Sequence, residues 1–234
     1  MTNDTAYFAV PELAPARHLQ RAGQWDTALR LLPEGSAGAA LRAEILVDRH
    51  LWRIDPVDEA VAATRALADA EPELAVHLTA QLEYWRLLLT LDGPPLGPDP
   101  AEGFASVAGH PPLAGWAAFW HAITLDNLRQ DTAAAADGYA RALTHAQAAG
   151  DRLLESYVAR HQGGQAFDAG DTERAITLQR RSLQLRAACG ARPHVAAAQA
   201  AVADFVGETE EARELRAIVA VTAEELDLEW LKQK

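Results

Sequence analysis

Apolar positions recur along this chain at three- and four-residue intervals almost without interruption, which is the period of one buried helix face. The two-residue alternation of a half-buried strand is missing, and glycine and proline gather in clusters between the periodic blocks. The pattern predicts helices over 12–22, 25–33, 37–53, 56–70, 73–91, 100–108, 113–129, 132–148, 152–168, 172–188, 193–205 and 208–226. Most connections are short, which makes successive helices antiparallel neighbours. Asp55-Pro56 and Asp99-Pro100 each supply an N-cap acceptor followed by a proline at the first helical position. Asp131-Thr132 and Asp171-Thr172 supply the same cap without the proline. The longest irregular stretch, "LDGPPLGPDP" at 91–100, reads as a loop inserted between the two helices of one pair. The C-terminal "EELDLEWLKQK" either extends the last helix or caps the array.

The blocks repeat. "AITLDNLRQDTAAAADGYARAL" (122–143) aligns with "QGGQAFDAGDTERAITLQRRSL" (162–183), so that Asp131 matches Asp171, Ala135 matches Ala175 and Leu143 matches Leu183. Gly207 and Ala212 repeat Gly170 and Ala175 further on, and Gly23 and Ala28 hold the same two positions near the start. Small residues suit points where helices cross closely; glycine suits a chain reversal and aspartate caps the helix that follows. In these features the chain resembles the tetratricopeptide repeat (TPR) family. Gly163, Ala166, Gly170, Asp171, Ala175, Ser182 and Leu183 carry the resemblance in one repeat, and Ala135, Tyr139, Ala142 and Leu143 carry it in the one before. Family repeats are about 34 residues long; these are longer, and the early ones are degenerate. Other helical-pair solenoids of the HEAT type share the same outline. The resemblance implies an all-α, right-handed superhelical array of about six antiparallel helix pairs, forming one domain over 1–234.

Composition agrees with a folded, water-facing protein. Hydrophobic residues make up 49% and charged residues 23% of 234, enough for a real core. The formal net charge of −12 repels phosphate backbones and anionic membranes, so neither nucleic acid nor membrane is an expected partner. The charge is uneven. Arg174, Arg180, Arg181, Arg186 and Arg192 fall in a stretch without acids, while the segment from Asp204 to Glu229 is strongly acidic. Two neighbouring helices that complement each other would produce this; a partner-facing basic strip, or self-association through the acidic C-terminal region, would also use it. Cys189 is the sole cysteine, so no internal disulfide forms, and it reads as a small packed hydrophobe. The opening "MTNDTAYFAVPELAP" lacks the basic and long apolar regions of a signal peptide, and no apolar run is long enough to cross a bilayer. The expected location is cytoplasmic.

Searches for chemistry return little. Phosphate-loop, dinucleotide, zinc-protease, nucleophile-elbow and paired-cysteine motifs are all missing from the sequence. The eight histidines form no i, i+4 metal pair among themselves. No metal, cofactor or catalytic residue is expected. Trp116 and Trp120 lie one turn apart on one helix face, where either core packing or a binding wall would place them.

In the resembled family the first helix of each pair lines a concave groove in which partners bind. Registered on Gly163, the resemblance implies Tyr157, Arg160, Phe167 and Asp168 as groove residues. One repeat earlier it implies Trp120, Thr124, Asn127 and Leu128 with His121 beside them, and in the early repeat Arg42, Arg49, Trp52 and Arg53. Aromatic anchors with arginines suit an extended peptide or an acidic tail. The lysine–asparagine clamp of the family's chaperone-tail binders is not recognisable. The expected function is that of a non-enzymatic adaptor or regulatory protein binding a peptide segment or partner protein. A ligand- or peptide-sensing regulatory domain is the alternative, with a small enzyme using His121 or His161 behind it.

Overall fold

A computed structural model describes residues 10–232, apart from the side chains of Ser36 and Ala37. The reading of the first nine residues as no part of a signal peptide therefore lies outside the described residues. A single 3-10 turn, Pro11–Leu13, leads into thirteen helices: α1 (Ala14–Arg21), α2 (Trp25–Arg30), α3 (Ser36–Arg53), α4 (Asp58–Arg65), α5 (Pro72–Leu88), α6 (Pro100–Val107), α7 (Ala114–Arg129), α8 (Thr132–Ala149), α9 (Arg152–Asp168), α10 (Thr172–Ala188), α11 (Arg192–Phe205), α12 (Glu210–Leu226) and α13 (Glu229–Lys232). No strand occurs among the described residues. The chain is all-α, and its helices pack in consecutive pairs.

Five helix starts follow from local side-chain capping, that of α12 by Thr209. The side chains of Asp99, Asp131, Asp151 and Asp171 accept backbone N–H groups of Ala101, Ala134, Leu154 and Arg174. Each satisfies a donor that the first helical turn leaves unpaired. Asp55-Pro56 departs from this pattern. Helix α4 begins at Asp58 without a side-chain cap, because Asp55 is drawn back to α3, where it pairs with Arg49 at 2.7 Å and lies 3.6 Å from His50. The 91–100 loop is pinned as well as inserted. The Leu96 N–H donates to the buried Glu83 carboxylate at 2.9 Å, and Arg129 pairs with Asp99.

Within pairs, small residues set the approach. A Cβ on Gly163 would lie 2.9 Å from Gln179 Nε2 and 3.3 Å from the Ala175 carbonyl, so α9 and α10 touch at a point that admits no side chain. Gly170, at φ +83°, makes the left-handed reversal between those two helices. The Arg174–Arg192 strip is partly answered by the acidic C-terminal helix: Arg180 reaches Glu211 at 2.7 Å, and Arg192 pairs with Glu225. Arg186 instead is buried, donating to the His194 carbonyl at 3.0 Å and lying 5.0 Å over the Tyr157 ring. Cys189 is buried just after α10.

The last helices return to the first. Trp52 at the end of α3 meets the rings of His194 on α11 and Trp230 on α13, with centroids 5.0 and 5.6 Å apart. At the turn between α1 and α2, a Cβ on Gly23 would lie 3.0 Å from both Leu226 and Pro193. One continuous apolar core runs from Leu13 to Leu231 and takes side chains from both ends of the chain. The first helices of the pairs therefore face a shared interior, and the two ends meet along a seam.

Candidate functional site

That shared interior holds a cavity of about 160 Å³, lined from all six odd-numbered helices from α1 to α11. Helix α1 contributes Arg17, Gln20 and Arg21; α3 contributes Glu44, Val47, Asp48 and Leu51; α5 contributes Leu74, His77, Leu78, Gln81 and Trp85. Trp116 and Trp120 come from α7, Leu153 and Tyr157 from α9 beside its cap Asp151, and His194 from the first turn of α11. The polar groups repeat one turn apart on otherwise apolar helix faces, as in Arg17 and Arg21, Glu44 and Asp48, and His77 and Gln81.

The charged groups differ in how they are compensated. Arg17 donates to Glu44 at 3.2 Å, a pair that is nearly enclosed on both sides. Asp151 gives one oxygen to the Leu154 N–H, at 2.9 Å, and the other to the Trp116 indole N–H, at 3.0 Å. Asp48 accepts indole N–H groups from Trp25 at 2.8 Å and from Trp52 at 3.1 Å. Burial pushes the Asp48 carboxyl up to about 6, with Glu44 adding to the rise and those hydrogen bonds opposing it.

The histidines of the cavity are held neutral. Burial pushes His77 down to about 3. Burial also takes His194 well below its ordinary value, helped by the positive charges of Arg186, Arg21 and Arg160. His194 Nε2 and the Tyr157 hydroxyl share a hydrogen bond of 2.7 Å. His77 Nε2 lies 2.9 Å from the Gln81 side-chain amide. The second ring nitrogen of each histidine, Nδ1, is buried without a hydrogen-bond partner, and so is Nε1 of Trp120. Buried polar atoms are nearly always paired, so three such nitrogens on residues lining one cavity mark an incomplete polar environment.

Of the thirteen residues that the repeat register put forward as a groove, Trp120 and Tyr157 line the cavity. Trp52 stands behind it, orienting Asp48 and closing the seam. Arg49 turns to the other side of α3, where it joins Asp26, Asp55 and Glu59 at 3.2, 2.7 and 2.6 Å and ties α2 and α4 to α3. Arg53 pairs with Asp26 at 2.9 Å and lies over the Trp25 ring. Asn127 donates to the Tyr84 hydroxyl at 2.6 Å. Arg160 donates to the Ala197 carbonyl at 2.9 Å and lies over Trp230. His121 is half-buried on α7, its basicity lowered first by burial and then by Arg141, with Asp99 opposing. His161 lies between the rings of Phe119 and Tyr139. Phe167 is 47% exposed against Phe205, and Asp168 is exposed at the end of α9.

The register missed Arg17, Arg21, Glu44, Asp48, His77, Gln81, Trp85, Trp116, Asp151 and His194 as cavity residues. The signal for them was the i, i+4 spacing of polar residues inside apolar stripes. The Gly163 anchor instead favoured the C-terminal half of α9, whereas the cavity lies at that helix's N-terminal half. No cluster of metal-ligating side chains occurs among the described residues. No described helix is long and apolar enough to cross a membrane. No protein-family model matches the chain, and no curated protein matches it.

Proposed function

We propose that this protein is a TPR-like regulatory domain that binds a small molecule in its central cavity and performs no chemistry on it. The observation that carries the reading is the convergence of charged and aromatic side chains, among them Arg17, Asp48, Trp116, Trp120 and Tyr157, on one cavity. A binding site is a concave, mostly apolar space with a few polar groups that fix orientation, and this cavity has that composition. Its volume is close to that of an apolar cavity that holds a benzene-sized molecule. His194 belongs both to the cavity and to the seam, through Trp52. Occupancy is thereby coupled to how tightly the first and last helices are held together, and this gives a sensing domain its output.

The test is a thermal-shift screen of small molecules and short peptides against the wild type and Leu78→Trp, which narrows the cavity. A true ligand at about a hundred times its Kd adds about 2.7 kcal/mol of stability, roughly 5–10 °C for a chain of this size. It should do so in the wild type only. Equal shifts in both proteins, or stabilisation only by long peptides, would remove the reading.

A partner-protein role has one observation of its own. Ile218 and Val221 on α12 are 49% and 60% exposed and lie three residues apart on one face. Such a face suits a docking protein or a second copy of the chain. Light scattering of the wild type and Ile218→Ser/Val221→Ser at low and high salt tests it. Equal mass for the two proteins, together with no loss of an identified partner, would dismiss it.

A further inference from the structure

The charge balance of the cavity selects among ligand classes. Glu44 is matched by Arg17 at 3.2 Å, and Asp151 gives its oxygens to the Leu154 N–H and the Trp116 indole. Asp151 has a further interaction beyond these two, whereas Asp48 is met by neutral donors alone. The Asp48 oxygens accept from the neutral indoles of Trp25 and Trp52 and from the neutral side chain of Gln20, and no ion pair to Asp48 occurs among the described residues. A carboxylate has about four acceptor sites, so these three donors leave capacity for one more. A buried carboxylate with only neutral donors is costly, and a cation placed against it recovers that cost. The neutral histidines supply no positive charge to compete.

The same cavity has aromatic walls. Trp85, Trp116, Trp120 and Tyr157 line the same space, and the faces of tryptophan and tyrosine attract cations, most strongly where water is excluded. An anionic ligand would meet Asp48, Glu44 and Asp151 against Arg17 and Arg21, an excess of one negative charge. The whole chain, at −12, draws cations toward it as well. The Trp120 indole N–H can only donate, and it has no partner.

We propose that the cavity binds a small organic amine, its ammonium group against Asp48 and its apolar body between the tryptophans. This rests on the reading of the cavity as a ligand site and adds the ligand's chemistry. Burial holds the Asp48 carboxyl at about 6, so it is predominantly ionised at neutral pH and available to a cation.

The experiment uses the full chain at neutral pH and a series of similar shape: 2-phenylethylamine, 2-phenylethanol and phenylacetate, with tyramine to add a phenolic oxygen. Calorimetry should show both amines binding about tenfold or more tighter than the alcohol and the acid. Asp48→Asn should lower amine affinity by about tenfold and leave the alcohol within about twofold. The wild-type series needs no variant, so it decides the charge preference even if Asp48→Asn fails to fold. Alcohol equal to amine, or phenylacetate tightest, overturns the amine class and leaves the cavity site standing. Failure of all four probes, together with a screen that finds no cavity-dependent ligand, overturns both. Cavity-dependent hits in that screen that carry no amine overturn this inference alone.

Discussion

The rings of Trp52 and His194 meet edge to face, 5.0 Å between centroids, although one ends the first helix of the second pair and the other begins the first helix of the sixth. This contact joins the two ends of the array. Removing a buried tryptophan typically costs about 3–5 kcal/mol, and here the cost falls on the seam. Trp52→Ala is expected to split a single urea transition, followed by circular dichroism, into two, with the terminal pairs unfolding first. A single transition moved to lower urea with an unchanged slope would mean that the seam is not a separate unit.

Asp48 gives stability an unusual sign. Its folded value of about 6 lies above the ordinary 3.8, so the folded state binds the proton more tightly. The stabilisation is fully present below the ordinary value and is lost as pH rises through about 6, by up to about 3 kcal/mol. Asp48→Asn removes the titration. The stability of the variant relative to wild type should therefore improve from about pH 4 to about pH 7, by up to that amount. Urea midpoints across this range give the difference, and parallel curves for the two proteins would contradict it.

The buried histidines act in the opposite sense. His77 and His161 are both pushed down to about 3, and His194 well below its ordinary 6.5. Their neutral burial contributes stability above the unfolded value, and this is lost as pH falls from about 6.5 toward 3. Three such groups outweigh Asp48, so acid should unfold the protein. His77→Phe should reduce the slope of stability against pH near pH 5 by about one proton, or about 1.4 kcal/mol per pH unit. An unchanged slope would show that His77 titrates normally.

Two adjacent glycines in α9 separate packing from propensity. Gly163→Ala places a Cβ 2.9 Å from Gln179 and 3.3 Å from the Ala175 carbonyl, whereas Gly164→Ala meets nothing within 4 Å. The first is expected to destabilise by about 1–3 kcal/mol. The second is expected to stabilise by up to about 1 kcal/mol, since alanine is the better helix former. Thermal melts of the two variants should move in opposite directions; movement in the same direction would place Gly163 outside the helix contact.

Much of this architecture was legible because its causes are local. The α9–α10 turn follows from Gly170 and Asp171, and the starts of α6, α8 and α10 follow from aspartates next to them. Asp55 was misleading because its partners, Arg49 and His50, outcompeted the next helix for its side chain. The site was less legible. Which polar residues share the interior depends on where the ends of the array meet, and that is set by contacts such as Trp52 with Trp230 and Gly23 with Leu226. Arg49 and Asp48 are neighbours in sequence, yet one ties outer helices together and the other faces the cavity. Helical periodicity predicts that they point apart but not which one points inward.

The meeting of the ends also bears on how such a protein can change over generations. In an open stack each helix pair touches only its neighbours, so a pair can be gained or lost by duplication or deletion at little cost. Here an added pair would carry Trp230 and His194 away from Trp52, and a lost pair would drive them past it. The number of pairs is thus fixed by the need for the last to find the first. Variation in this lineage is expected in loops such as 91–100, and not in the count of repeats.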